Sequence, residues 1–274
     1  LGLCYIAAVL EKHGHQVIVY QSDYNSLGKN GYVSNRRKTG YDTYLNVLNN
    51  KEHPLWQEIE TVIREKAPEI VGISVRTPFF QSALNVSKIV KKVSRKTLVV
   101  WGGVHPTILP ADTLKNNEVD FVVRGEGEYT FLELIENPSK PENIQGLSYK
   151  KAGEIISNPA RPLIQNLDEL PFPAKHLILG VDKFPPIALS NIFTTRGCPY
   201  NCIFCASHEL WTRKVRYRSA RNIIEEIKSL QNTYNIKRFS FEDDSLTVSE
   251  KFIREICDLI IKEKLEIKWR CETR

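Results

Sequence analysis

The sequence contains no methionine, not even at position 1. It opens on Leu1-Gly2-Leu3-Cys4-Tyr5-Ile6-Ala7-Ala8-Val9-Leu10, a helical pattern without a strand before it. It stops at Cys271-Glu272-Thr273-Arg274, directly after a strand-like run. The expectation is a piece of a longer protein that lacks both ends. No run of about 18 apolar residues occurs, so no membrane span is indicated. A charged leader and a cleavage site are also lacking, so nothing marks secretion. There is no basic block either. The net charge is +6, and Lys and Arg are spread along the chain, so a nucleic-acid surface is not expected. What remains is ordinary: 42% apolar and 26% charged residues in a chain of 274 indicate a globular protein of one large or two ordinary domains.

Cysteine is scarce, at six in the chain, yet three fall within eight residues as Cys198, Cys202 and Cys205. The surrounding run is Thr194-Thr195-Arg196-Gly197-Cys198-Pro199-Tyr200-Asn201-Cys202-Ile203-Phe204-Cys205-Ala206-Ser207. Thiols this crowded usually hold a metal. A fourth cysteine is missing, whereas structural zinc takes four protein ligands. His208 supplies a fourth donor in C-x₃-C-x₂-C-x₂-H spacing, which keeps a Cys₃His zinc site open as a reading. A [4Fe–4S] cluster held by three thiols would leave one iron open to a small molecule. Three clustered cysteines cannot all pair with one another, and the reduced thiols point to the cytoplasm.

Before the cysteines, helical and strand-like patterns alternate. Leu3, Ile6, Ala7, Val9 and Leu10 have helical spacing up to Gly14, and residues 16 to 20 read as a buried strand. Residues 21 to 51 have no clear period and read as a loop. Residues 54 to 66 and 80 to 95 are amphipathic. The runs Ile70–Val75, Thr97–Trp101 and Val119–Val123 are continuous and apolar, as in buried parallel strands. This alternation predicts a Rossmann-like, doubly wound α/β sheet. Ligands of such sheets bind at strand carboxyl ends. Those ends carry Ser74 to Thr77, Gly102-Gly103-Val104-His105 and Arg124-Gly125-Glu126-Gly127-Glu128. A hairpin is expected around Lys151-Ala152-Gly153, then a proline-rich linker to about residue 190. Beyond it, strand, cysteine loop, helix 220–233, strand 238–241, helix 249–263 and strand 266–271 form a second (β/α) series. The expected domains are 1–145, a hairpin and linker at 146–190, and 191–274.

Cys198, Cys202 and Cys205, the aromatic Phe204 and the strand-like 191–195 resemble the radical SAM superfamily. That resemblance implies a [4Fe–4S] cluster on the three cysteines, whose open iron chelates S-adenosylmethionine (SAM). One electron then cleaves SAM to methionine and a 5′-deoxyadenosyl radical. It also implies the first half of a (β/α)₆ partial barrel, with SAM contacts from Phe204, Glu242, Asp243, Asp244, Glu272 and Arg274. The superfamily usually has Gly-Gly-Glu where this chain has Glu242-Asp243-Asp244. Arg196 either binds SAM or caps the strand end.

Residues 1 to 137 resemble the cobalamin-binding domain that precedes many radical SAM cores. The matching stretches are Leu1 to Val17, Val71-Gly72-Ile73-Ser74, Trp101 to Pro106 and Val122 to Glu128. The resemblance implies cobalamin contacts from Ser74, Thr77, Gly102, Gly103, His105, Gly125, Glu126 and Gly127. The D-x-H-x-x-G motif that ligates cobalt in many such proteins is absent, and His105 reads as a wall or helix-start residue rather than a ligand.

Together the two resemblances imply a methyltransferase acting on an unactivated carbon (or phosphorus) of a small molecule. Flavodoxin or ferredoxin would supply the electrons. The alternatives are radical oxidation or cyclisation without methyl transfer, and a non-catalytic corrinoid- and zinc-binding module. Residues 1 to 274 alone are expected to be inactive, because half a barrel leaves a sheet edge open.

Overall fold

The apolar run at 70–75 forms the first strand of an α/β sheet in a computed structural model that describes residues 1–21 and 36–274. The chain divides into two compact units. One is Tyr20–Arg161, and the other joins Leu1–Val19 to Pro162–Arg274.

The Tyr20–Arg161 unit contains α2 (Arg36–Asn49), α3 (Pro54–Lys66), β1 (Ile70–Ser74), α4 (Phe80–Val93) and β2 (Leu98–Gly102). After these come the short helices α5 (Val104–Ile108) and α6 (Pro110–Leu114), then β3 (Phe121–Val123), α7 (Gly127–Glu136), β4 (Leu147–Lys151) and β5 (Glu154–Ser157). The sheet order is β1-β2-β3-β4-β5. Pairing is parallel from β1 to β3 and antiparallel from β3 to β5. The hairpin expected to begin the linker therefore extends this sheet.

Alternate residues of β2 face opposite layers. Val99 and Trp101 join Trp56, Ile59 and Ile63 of α3 and Val90 of α4. Val100 joins Leu134 of α7 with Leu147 and Tyr149 of β4. Helices thus cover both faces, which is the doubly wound arrangement and explains the continuous apolar strands. The buried Trp101 indole donates to Ser87 Oγ at 2.9 Å, so its polar edge is satisfied.

Two local expectations fail. Residues 36–49 of the stretch read as a loop are helical, and the rest of it, 22–35, lies outside the described residues. Tyr44, Leu45, Val47 and Leu48 supply a short apolar stripe, too little to reveal a period. Tertiary contacts hold the helix: Tyr44 Oη donates to the Pro78 carbonyl at 3.0 Å, and Trp56 Nε1 to the Val47 carbonyl at 3.0 Å. Residues 16 to 20 form no strand; Val19 makes a single parallel bridge to Ile178. Ile18 is half exposed.

The other unit begins with α1 (Gly2–Lys12), whose Cys4 carbonyl accepts from Ala174 N at 3.0 Å. The later elements are β6 (Asn191–Ile192), β7 (Thr195–Arg196), α8 (Ser207–Trp211), β8 (Arg216–Tyr217), α9 (Ala220–Tyr234), β9 (Arg238–Phe241), α10 (Glu250–Lys262) and β10 (Lys268–Cys271). A parallel sheet runs β10-β9-β6, as (β/α) repetition requires. The expected strand at 191–195 is split. Its first half joins this sheet, and its second half pairs antiparallel with β8.

Ser219 and Ser249 start α9 and α10 by accepting from Asn222 N and Phe252 N. Ile223, Ile224, Ile227 and Leu230 of α9 are buried. Each fully buried isoleucine contributes about 2 kcal/mol, so this stripe holds the helix to the sheet. No helix among the described residues is long and apolar enough to cross a membrane.

Candidate functional sites

In the Tyr20–Arg161 unit, the parallel register puts Ser74 beside Gly102, so the turns after β1 and β2 share one end of the sheet. They are laced together. Val75 N donates to the Gly102 carbonyl at 2.8 Å, and His105 N to the Val75 carbonyl at 3.1 Å. Thr77 Oγ1 lies 3.1 Å from His105 Nδ1. The third turn is tied in through Thr107, whose hydroxyl donates to the Gly103 carbonyl at 2.8 Å and accepts from Gly125 N at 3.0 Å.

Gly103 is required here. Its φ is +94°, and a Cβ would stand 3.1 Å from the Val75 carbonyl oxygen and 3.2 Å from Ser74 Oγ. Gly125, at φ +71°, has open space where a side chain would be. Ser74 and Thr77 are exposed, Gly127 is partly buried, and Glu126 is buried with polar contacts of its own.

His105 is the chemically distinctive residue of this end. It is buried, its ring lies edge-on to Phe80 at 5.0 Å, and its Nε2 has no hydrogen-bond partner among the described residues. Burial pushes the imidazole below the usual histidine range, only partly opposed by Asp112, which favours the neutral ring. A buried polar atom without a partner is costly unless a ligand meets it. Phe79 on the turn after β1, and Ile108 and Leu109 at the end of α5, are exposed apolar residues. An open glycine turn, an orphaned imidazole nitrogen and exposed apolar side chains fit a large cofactor with a flat ring face and a polar, amide-bearing rim, as cobalamin has.

The cysteine loop lies in the other unit, between β7 and α8. Cys198, Cys202 and Cys205 are partly exposed and form no disulfide. Cys205 N donates to the Cys202 carbonyl at 3.1 Å, which turns the loop back on itself. The loop leaves β7 through Gly197, at φ +108°, where a Cβ would lie 2.3 Å from the Lys214 carbonyl oxygen. Arg196 is buried, with its guanidinium 5.4 Å from the Tyr5 ring centre and 5.3 Å from that of Trp211. It therefore bridges the two ends of the loop, from β7 to the end of α8, in a desolvated cation–π arrangement.

Three unpaired thiols on one loop are the donor set that a [4Fe–4S] cluster with one open iron takes. Among the described residues no three His, Cys, Asp or Glu side chains stand as a closed metal-binding group. His208 Nε2 is 3.1 Å from Glu209 Oε1.

The residues expected around SAM divide sharply. Phe204 is 89% exposed, with its ring open to solvent. Asp243 is buried and accepts four hydrogen bonds. They come from Thr194 N at 2.8 Å, Thr194 Oγ1 at 2.9 Å, Thr195 N at 2.5 Å and Thr195 Oγ1 at 2.9 Å. Burial pushes its carboxyl above the usual aspartate range, while the four bonds act in the opposite sense. Asp244 accepts from the Ser207 hydroxyl. Glu242 is partly exposed and lies 3.9 Å from Arg270 Nη2. The Glu272 carbonyl accepts from Leu246 N at 3.1 Å. Arg274 stacks over Tyr200 at 4.8 Å and reaches Cys202 Sγ at 3.8 Å.

Sequence reasoning missed Thr194, Thr195 and Thr107 as anchors. Hydroxyl residues at strand ends are common, and no spacing rule marks the ones that tie two turns together.

The sequence matches the family described as B12 binding domain over residues 1–135 and the radical SAM superfamily over residues 192–273. An uncharacterized methyltransferase of Pyrococcus horikoshii is 39% identical over 225 residues, covering 80% of this chain and 49% of that protein. The cytidylyl-2-hydroxyethylphosphonate methyltransferase of Streptomyces wedmorensis is 29% identical over 93% of this chain and 53% of its own length. The anaerobic magnesium-protoporphyrin IX monomethyl ester cyclase of Rubrivivax gelatinosus is 30% identical over 78% of this chain and 41% of its own length. The chain thus spans about half the length of the curated relatives it matches. Among solved structures, the radical SAM methyltransferase TsrM from Kitasatospora setae covers 96% of this chain with a TM-score of 0.67 at 17% identity, over 48% of its own length. The cobalamin-dependent radical enzyme OxsB covers 78% with a TM-score of 0.66 at 22% identity, over 31% of its own length. At these identities the two structures establish the fold.

Proposed function

The chain belongs to the radical SAM enzymes that carry a B12-binding domain, and from that membership we propose that it is part of a cobalamin-dependent methyltransferase acting on a small molecule. One observation carries the reading: a loop of three unpaired cysteines and a strand-end cradle with an orphaned buried imidazole occur in one chain.

Cys198, Cys202 and Cys205 would hold the cluster, leaving SAM to the strand-end residues Glu242, Glu272 and Arg274 and to the backbone near Phe204. Ser74, Thr77, Gly102, Gly103, His105 and the Gly125–Gly127 turn would hold cobalamin. Bound there, the two groups supply one-electron cleavage of SAM and methyl transfer. The chain's own residues bind and orient. The open Gly125 turn gives a phosphate-bearing tail close access to backbone N–H groups. The neutral His105 ring offers one nitrogen to a ligand while Thr77 fixes the other. Unpaired thiols fit a reducing cytoplasm, where a flavodoxin- or ferredoxin-type donor would deliver electrons.

A second reading keeps both groups but omits methyl transfer, favoured by the likeness to the protoporphyrin ester cyclases. Anaerobic reconstitution of the full-length protein with iron and sulfide, followed by SAM labelled in its methyl group, tests both. Methyltransfer predicts label in the product together with 5′-deoxyadenosine. Deoxyadenosine with no label transferred supports the second reading. A protein that takes up zinc and never cleaves SAM sinks both, and Cys202→Ser should abolish cleavage in either case.

A further inference from the structure

The triplet Glu242-Asp243-Asp244 ends β9, where a ligand's ammonium and hydroxyl groups would be expected to meet carboxylates. Two of the three are otherwise engaged. Asp243 is 2% exposed, and its two oxygens accept all four donors of Thr194 and Thr195, the residues that lead into the cysteine loop. Asp244 accepts from Ser207, the residue just after that loop. One dipeptide therefore grips the cysteine loop at both ends.

The strand register explains why. Ile192 of β6 lies opposite Phe241 of β9, and Glu242 N donates to the Ile192 carbonyl at 2.9 Å. The two chains then run on together, so the residue after Glu242 meets the residues after Phe193.

We propose that Asp243 and Asp244 are positioning residues that clamp the two ends of the cysteine loop. This rests on the radical SAM reading of the loop. A carboxylate holding two backbone N–H groups and two hydroxyls fixes where the first thiol leaves the sheet. Fixing both ends of the loop preorganises the three thiols, so loosening them should weaken their hold on a metal. The substitution Asp243→Asn would keep the role. The new side chain's oxygen accepts from both backbone N–H groups, and its amide donates to a rotated Thr194 hydroxyl. In contrast, Asp243→Ala would leave four donors without an acceptor.

The test uses the anaerobically reconstituted full-length protein and three readouts: iron retention against a chelator, SAM affinity by equilibrium dialysis, and hydrogen exchange at the Thr194 and Thr195 amides. Asp243→Ala should lose protection at both amides and retain iron about tenfold less well. Asp243→Asn should match the wild type in all three readouts. If Asp243→Asn keeps its iron but loses SAM affinity, Asp243 is a ligand to SAM and the proposal is overturned. Protected amides and full iron retention in Asp243→Ala overturn it as well. Should the alanine variant not fold, the Thr194→Val,Thr195→Val pair removes only the hydroxyl donors and should weaken iron retention, with full retention counting against the clamp. The exchange readout needs no cluster. A wild type that takes up no iron therefore overturns the reading of the loop, while the amide protection still decides the clamp.

Discussion

Lys175 is 4% exposed, yet it carries an amine in a chain segment crowded with proline. Its Nζ donates to the Leu189 carbonyl at 2.6 Å and to that of Asn191 at 2.9 Å, directly beneath the strand that leads toward the cysteines. Burial lowers its pKa from the ordinary 10.5 to about 8, with Glu226 and Cys4 opposing the fall and Arg218 adding to it. The neutral amine still has two N–H groups, enough for both carbonyls, so losing the proton costs neither hydrogen bond.

A lysine whose folded pKa lies below its unfolded value is penalised while charged. Below pH 8 both states hold the proton and the penalty is complete. Between about 8 and 10.5 the unfolded chain binds more protons, so stability rises with pH. The whole shift, from 10.5 to about 8, corresponds to about 3 kcal/mol. Lys175→Met removes the titration and leaves two carbonyls without donors, at about 1–3 kcal/mol each. Urea unfolding of the lysine protein and of Lys175→Met from pH 7 to 10, without iron and both carrying Cys4→Ala to remove the coupled thiol, measures the gap between them, in which the remaining titrating groups cancel. The gap should widen by about 1–3 kcal/mol over that range, with the lysine protein the more stable. A gap that stays constant with pH would refute a desolvated lysine at this position.

Two further outcomes are expected. Gly197→Ala places a Cβ 2.3 Å from a backbone carbonyl oxygen at a positive φ. It should cost more than about 2 kcal/mol and lower iron uptake, read by thermal melts and iron content. His105→Phe removes a buried imidazole whose Nε2 has no partner among the described residues. Apoprotein stability should hold within about 1 kcal/mol while hydroxocobalamin binding by equilibrium dialysis weakens about tenfold. Unchanged binding would make His105 a packing residue only.

What could be read from the sequence was what depends on near neighbours. The three cysteines declare themselves by spacing, and α9 by four apolar residues and a serine at its start. The alternation of strands and helices was equally plain, because buried parallel strands must be apolar throughout. What escaped depends on distant partners. Which donors Asp243 meets follows from the pairing of β6 with β9, and an acidic triplet reads the same whether it faces a ligand or two threonines. The helix at 36–49 gave no period because few of its residues are apolar. Residues 16–20 look like a strand on composition alone, but a strand also needs a partner along its length, and among the described residues only Val19 has one.

Helix α1 lies near one end of the sequence but packs with residues beyond 162. About 140 intervening residues form a unit of their own, with two hydrophobic layers and a sheet built from local βα steps. That unit can complete its core before the residues beyond 162 that α1 packs with exist. During synthesis, the contacts that α1 makes with the segment around Ala174 must then wait until that segment exists. Closing so long a loop adds little entropy cost if the middle is already folded and brings its two ends within reach. If the middle is slow or damaged, the joining of α1 to its later partners is delayed, and delays of this kind invite chaperone capture or aggregation.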